Sequence, residues 1–151
     1  MLRKMFLVVT MHGNMMSNHL FNGHMDYFWR IYMRLRNVLI VVKDIEKTKD
    51  FYHKVFGLDV ILNSEGNVIM TEGLVLQEET VWNNCLGKKV VKYSNSCQLY
   101  FEEADIESFA NKLEELYPDT EYVTKLTTYP NGKKIIRFYD FDGNMVEVGT
   151  P

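Results

Sequence analysis

NVLIVVKDIEKTKDFYHKVFGL (residues 37–58) and QLYFEEADIESFANKLEEL (residues 98–116) begin 61 positions apart and read alike. Each opens on a carboxamide, Asn37 or Gln98, and runs through a short apolar stretch. Each then reaches Asp-Ile-Glu seven residues on, at Asp44–Glu46 and Asp105–Glu107, followed by helical spacing. A duplicated strand-helix unit of this kind builds a symmetric shell around a cavity, with the first residue of each copy facing inward.

Outward from these two stretches the pattern continues. Leu35 to Val42 is β-branched and nearly all apolar, as in a strand covered on both faces. Asp44 can cap the next helix, whose Ile45, Thr48, Phe51, Tyr52, Val55 and Phe56 share one side. Gly57 suits the left-handed position that ends it. Val60–Leu62, Val68–Met70 and Gly73–Gln77 read as three short strands separated by turn residues. That completes one β-α-β-β-β unit. Glu78–Ser96 is a less regular connector, read with a helical turn and a short strand at Val90–Tyr93. The unit then repeats. A strand Gln98–Glu102 leads into a helix Ile106–Leu116 with Phe109, Leu113 and Leu116 inward. Tyr117-Pro118 stops that helix, and strands follow at Tyr122–Leu126, Lys134–Tyr139 and Met145–Val148. The last strands also align, Gly73–Gln77 with Gly143–Glu147, at an offset of 70.

Strand side chains alternate between faces. One face therefore holds Asn37, Leu39, Val41, Gln77, Gln98, Tyr100, Glu102 and Glu147. The other holds Val38, Ile40, Val42, Leu99, Phe101, Val146 and Val148 and packs under the helices, with Cys97 beside them as a small core residue. The polar groups gather on the first face, as a cavity wall requires.

The 151 residues carry a net charge of −3 and no basic stripe, which argues against a nucleic-acid partner. Cys85 and Cys97 form neither a metal spacing nor a disulfide framework, which points to a reducing cytoplasm. Residues 1–32 hold six of the nine methionines and three of the four histidines, His12, His19 and His24. Their apolar run, Met5 to Met11, is far short of the ~20 residues that span a bilayer. It also makes a poor signal peptide. Met33 directly precedes the first strand. The reading is a native start at Met33, with residues 1–32 an atypical extension outside the domain. A histidine-rich metal-binding tail is the alternative, but its spacings match no tight ligand motif.

Val38–Glu46, Phe51-Tyr52 and Gly57-Leu58, with Leu99–Phe101, Asp105-Ile106 and the closing Phe138–Val148, resemble the vicinal oxygen chelate superfamily of glyoxalases, extradiol dioxygenases, fosfomycin-resistance transferases and bleomycin-resistance proteins. The resemblance covers residues 33–151, with modules 35–78 and 97–150. It implies an α+β fold of two βαβββ modules forming an incomplete mixed β-barrel with helices outside. Phe141 departs from it, standing where a proline is usual between the two aspartates.

Metal-using members place His or Glu at the first strand of each half and Glu at the last. The matching positions here are Asn37, Gln98 and Glu147, with Gln77 for a four-ligand variant. Only Glu147 is anionic, and carboxamide oxygens are weak ligands for transition metals. The single histidine of residues 33–151, His53, sits on the first helix. No resident cofactor is therefore expected, beyond a weakly held divalent cation on oxygen ligands. Glu147 reads as a catalytic base, as a ligand for any such metal, or as a carboxylate bonded to wall amides. Asn37, Gln77 and Gln98 suit a polar ligand. Tyr100, Trp82 and Tyr129 are candidates to line or cover it. Arg137 is placed to pair with Glu147 or Glu102 or to grip a ligand carboxylate. Cys85 lies near Lys88 and Lys89 but has no base partner in view.

These residues support a small-molecule-binding protein without the usual histidine-based metal site. The alternative is a divalent-metal-dependent lyase, isomerase or dioxygenase, like lactoylglutathione lyase, acting through Glu147. Whether the protein is an enzyme stays open. Its expected partners are a small organic ligand and a second copy in a homodimer, with no membrane.

Overall fold

The computed structural model describes residues 34–151, so the readings made for residues 1–32 lie outside the described residues. The first module comprises β1 (Val38–Val42), α1 (Ile45–Phe56), β2 (Val60–Ser64), β3 (Asn67–Met70) and β4 (Leu74–Glu78). A connector helix α2 (Glu79–Leu86) follows. The second module comprises β5 (Gln98–Glu102), α3 (Ile106–Leu116), β6 (Tyr122–Thr128), β7 (Lys134–Tyr139) and β8 (Met145–Gly149). The sheets run β1-β4-β3-β2 and β5-β8-β7-β6. In each, the first strand lies parallel to the last and the remaining pairs are antiparallel. The fold is α+β with two four-stranded mixed sheets and no closed barrel.

The repeated Asp-Ile-Glu acts at the same place in both modules. Asp44 Oδ1 accepts the Lys47 amide at 3.0 Å, and Asp105 Oδ1 accepts the Ser108 amide at 3.1 Å. Each satisfies one of the amides that a helix start leaves without a partner. Gly57, at φ 70°, closes α1 in the left-handed conformation.

One core serves both modules. Phe51, Tyr52 and Val55 of α1 pack with Ile106, Phe109 and Leu113 of α3 over strand residues such as Val42, Leu76, Phe138 and Val146. Phe56 stacks on Phe101 of the other module with ring centroids 4.1 Å apart. Three polar ties cross between the modules. The Tyr52 hydroxyl donates to Asp140 Oδ2 (3.0 Å), Lys112 Nζ to the Val55 carbonyl (3.1 Å), and Asn144 Nδ2 to the Val41 carbonyl (3.4 Å). The helices and the apolar strand faces therefore share one side, and the opposite faces are left as walls.

Several expectations need correction. Residues 90–93 form no strand: the run ends in Tyr93 at φ 55°, outside the β region, and Lys92 is tied to Asp142 at 2.9 Å. The helical turn of the connector is a full helix, α2. Leu116, Val38 and Cys97 are exposed rather than inward. Leu116 is the last helical residue, past the reach of the core. Val38 opens an outer strand of its sheet, and Cys97 ends the exposed stretch that leads into β5. Among the described residues, no helix is long and apolar enough to cross a membrane.

Candidate functional site

Sheet register assembles the strongest polar group on the second wall. β8 lies between β5 and β7, with Glu147 directly opposite Arg137 on one side and Tyr100 on the other. Glu147 is buried, at 7% exposure. Its Oε2 accepts two bonds, one from Arg137 Nε at 2.6 Å and one from Gln98 Nε2 at 3.1 Å. The first is a charge-assisted pair, the stronger kind of hydrogen bond. Bonding to Tyr129, and then to Glu147, raises the guanidinium pKa above its ordinary range, so Arg137 stays a fixed cation. Among the described residues no hydrogen bond reaches Glu147 Oε1, and that oxygen remains an acceptor.

The outer strand β5 continues the wall. Gln98, Tyr100 and Glu102 alternate on its exposed side. The Tyr100 hydroxyl donates to Glu102 Oε1 at 3.3 Å and accepts from Lys133 Nζ at 2.9 Å. Lys133 also lies 5.2 Å from the Tyr100 ring centroid. An open cleft of about 730 Å³ runs along β5, lined by Gln98, Tyr100 and Glu102 with Val38 and Glu72 of the first module.

Other predicted members are not drawn into this group. The Gln77 oxygen accepts from Asn67 Nδ2 at 2.9 Å and its amide donates to the Gly66 carbonyl, so its polar atoms are used inside its own sheet. Asn37 precedes β1 and is exposed, and Trp82 is half-buried on α2. Lys133 was missed in the sequence, although it shares parity with Ile135, Arg137 and Tyr139 and strand alternation could have found it. Tyr129, a candidate to line or cover a ligand, is exposed and lies close enough to Arg137 to raise its pKa.

This donor set does not fit a transition metal. Its one carboxylate is already paired with a guanidinium, whose positive charge would repel a cation. The Gln77 oxygen is occupied. His53 is exposed on α1, with Nδ1 3.1 Å from the Leu58 carbonyl and 3.2 Å from Asp59. Among the described residues, no group of three or more His, Cys, Asp or Glu is arranged to hold a metal.

The pair makes a stability prediction. Arg137→Met keeps an unbranched apolar stem but leaves the buried Glu147 carboxylate with Gln98 alone. It should destabilise the fold by about 2 kcal/mol, and the double variant Arg137→Met/Glu147→Gln should recover part of that. Urea denaturation of the four proteins closes the cycle. Additive losses would mean that the two groups do not interact.

Comparison with known proteins adds the following. The family model described as a glyoxalase-like domain matches residues 35–151. A protein of unknown function from Agrobacterium tumefaciens str. C58 is similar at 27% identity and a TM-score of 0.68, over 83% of this chain and 98% of that one. A lactoylglutathione lyase from Agrobacterium tumefaciens is similar at 22% identity and a TM-score of 0.61, over 78% and 92%. A genomically encoded fosfomycin resistance protein from Listeria monocytogenes is similar at 18% and 0.59, over 78% and 90%. At these last two identities the likeness shows the fold. No curated protein matches the sequence.

Proposed function

The chain belongs to the glyoxalase-like domain family of the vicinal oxygen chelate superfamily, and from that premise we propose that it binds a small polar organic molecule on the wall of its second sheet, without a histidine-based metal. The observation that carries this reading is the group Gln98–Glu147–Arg137. Gln98 and Glu147 take two of the positions that the resemblance assigns to metal ligands, but Arg137 pairs with Glu147, so the set is net neutral and internally bonded. Pairing fixes the three side chains before any ligand arrives, so little rotamer freedom remains to be lost on binding. The remaining guanidinium N–H groups donate, Glu147 Oε1 and the Gln98 carbonyl oxygen accept, and Tyr100 supplies an apolar ring with a polar tip. Such a set suits a ligand carrying an acceptor beside a hydroxyl or amide.

A thermal-shift screen of small aromatic, thiol-containing and carboxylated compounds tests it. At a hundredfold excess over Kd, a ligand adds about 2.7 kcal/mol of stability, an easily read shift. For any hit, Arg137→Met and Gln98→Ala should each weaken binding about tenfold, as loss of one charged or buried polar contact does. Hits insensitive to both substitutions would place the ligand elsewhere. Turnover of a glutathione adduct that requires an added divalent metal and vanishes in Glu147→Ala would favour the lyase reading instead.

A further inference from the structure

We propose a second binding site, for a small organic cation of the alkylammonium class, in the aromatic cleft between α1, the end of α3 and the β7–β8 turn. The cleft holds about 440 Å³, within the range of small-molecule sites. Five aromatic side chains line it: Phe51, Tyr93, Tyr117, Tyr139 and Phe141. Gln98, Arg137 and Glu147 take no part in its lining, so the proposal stands apart from the wall site.

Two features select a cation. Two acidic residues at the rim, Asp119 and Glu121, line the cleft against the single positively charged lining residue, Lys47, while the Asp140 carboxylate beneath is taken up by its own turn and Tyr52. A ring face in it already takes a cation, because Lys47 Nζ sits 3.8 Å from the Phe141 centroid. That is well inside the ~6 Å over which an ammonium is attracted to a ring.

The remaining wall is held in place at a cost. Tyr93 adopts φ 55°, a conformation rare for a bulky side chain. It is kept there by its amide bond to the Gly143 carbonyl (3.3 Å), by the Lys92–Asp142 pair (2.9 Å), and by the Tyr139 hydroxyl bound to Asn95 (2.6 Å). Gly143, at φ 79°, favours this approach: the conformation strains other residues, and a Cβ there would crowd the Tyr93 nitrogen at 3.0 Å. The result is Tyr93 edge-on to Tyr139 with centroids 4.7 Å apart, fixed at the cleft.

Calorimetric titration of the full chain with choline, with phenyltrimethylammonium, and with the neutral choline isostere 3,3-dimethylbutan-1-ol tests the proposal. Both cations should bind saturably, and the neutral isostere about tenfold more weakly, as a desolvated cation–ring contact implies. Phe141→Leu, which keeps apolar volume but removes the ring, should lose about tenfold. Phe141→Pro should do the same through a second backbone. Lys47→Gln, which frees the ring face, should tighten binding roughly threefold. Absence of saturable cation binding in both wild type and Lys47→Gln would overturn the proposal. So would equal affinity for the neutral isostere, or unaltered binding in Phe141→Leu.

Discussion

Asp140→Ala is expected to lower the unfolding free energy by about 3–5 kcal/mol, the size of effect seen when a buried polar network loses its centre. Asp140 is 5% exposed. Its carboxylate accepts from four donors: the Asp142 amide (2.9 Å), the Asn144 amide (2.9 Å), Asn144 Nδ2 (3.0 Å) and the Tyr52 hydroxyl (3.0 Å). Alanine leaves all four donors without this acceptor. Two of them matter beyond the turn: Tyr52 reaches over from α1, and Asn144 also holds the Val41 carbonyl of β1. Burial, working against these bonds, keeps the carboxyl pKa above its ordinary value. The folded state therefore holds that proton more firmly than the unfolded one. The contribution of Asp140 to stability is greatest below the ordinary range of about 4 and declines as pH rises through the shifted value. Tyr52 is kept neutral, its pKa raised by burial first and then by Asp140. Tyr52→Phe removes only one donor and should cost about 1 kcal/mol. Urea denaturation at pH 7 separates the two variants. Equal, small losses in both would mean that the network does not join the modules.

Phe138→Ala should cost about 3–5 kcal/mol, as fully buried phenylalanines do when truncated. The side chain is 0% exposed and belongs to β7, yet its ring neighbours include Phe51 and Phe56 of α1, each with centroids 6.5 Å away. The cavity would open at the seam between modules. Far-ultraviolet and near-ultraviolet circular dichroism should still report one coincident transition, because neither module has a core of its own. Two separated transitions in the variant would contradict a shared core.

The architecture was legible because local rules and tertiary packing agree along most of the chain. Asp44 and Asp105 start their helices, and α3 and β7 occupy the predicted bounds. The apolar and polar faces of β5 and β8 alternate as read, which put Gln98, Tyr100 and Glu147 on one wall. What local pattern does not carry was missed. Glu78 gives α2 no side-chain cap and α2 buries no residue, so its helical signal was weak. The β-branched Val90-Val91 looked like strand, but Lys92 and Tyr93 are committed to the β7–β8 turn 50 residues away. Repeat symmetry makes Gln77 the counterpart of Glu147, yet its side chain bonds Asn67 and Gly66 within its own sheet. Repeat symmetry gives equivalent positions; it does not say which of them meet.

In the proposed site Glu147 serves as the partner of Arg137 rather than as a metal ligand. Elemental analysis of tag-free protein by plasma mass spectrometry, for wild type and Glu147→Ala in parallel, tests that most directly. Zinc, nickel, manganese and iron should lie far below one ion per chain in wild type, with no difference in Glu147→Ala. A stoichiometric ion in wild type that is lost with Glu147 would contradict that role.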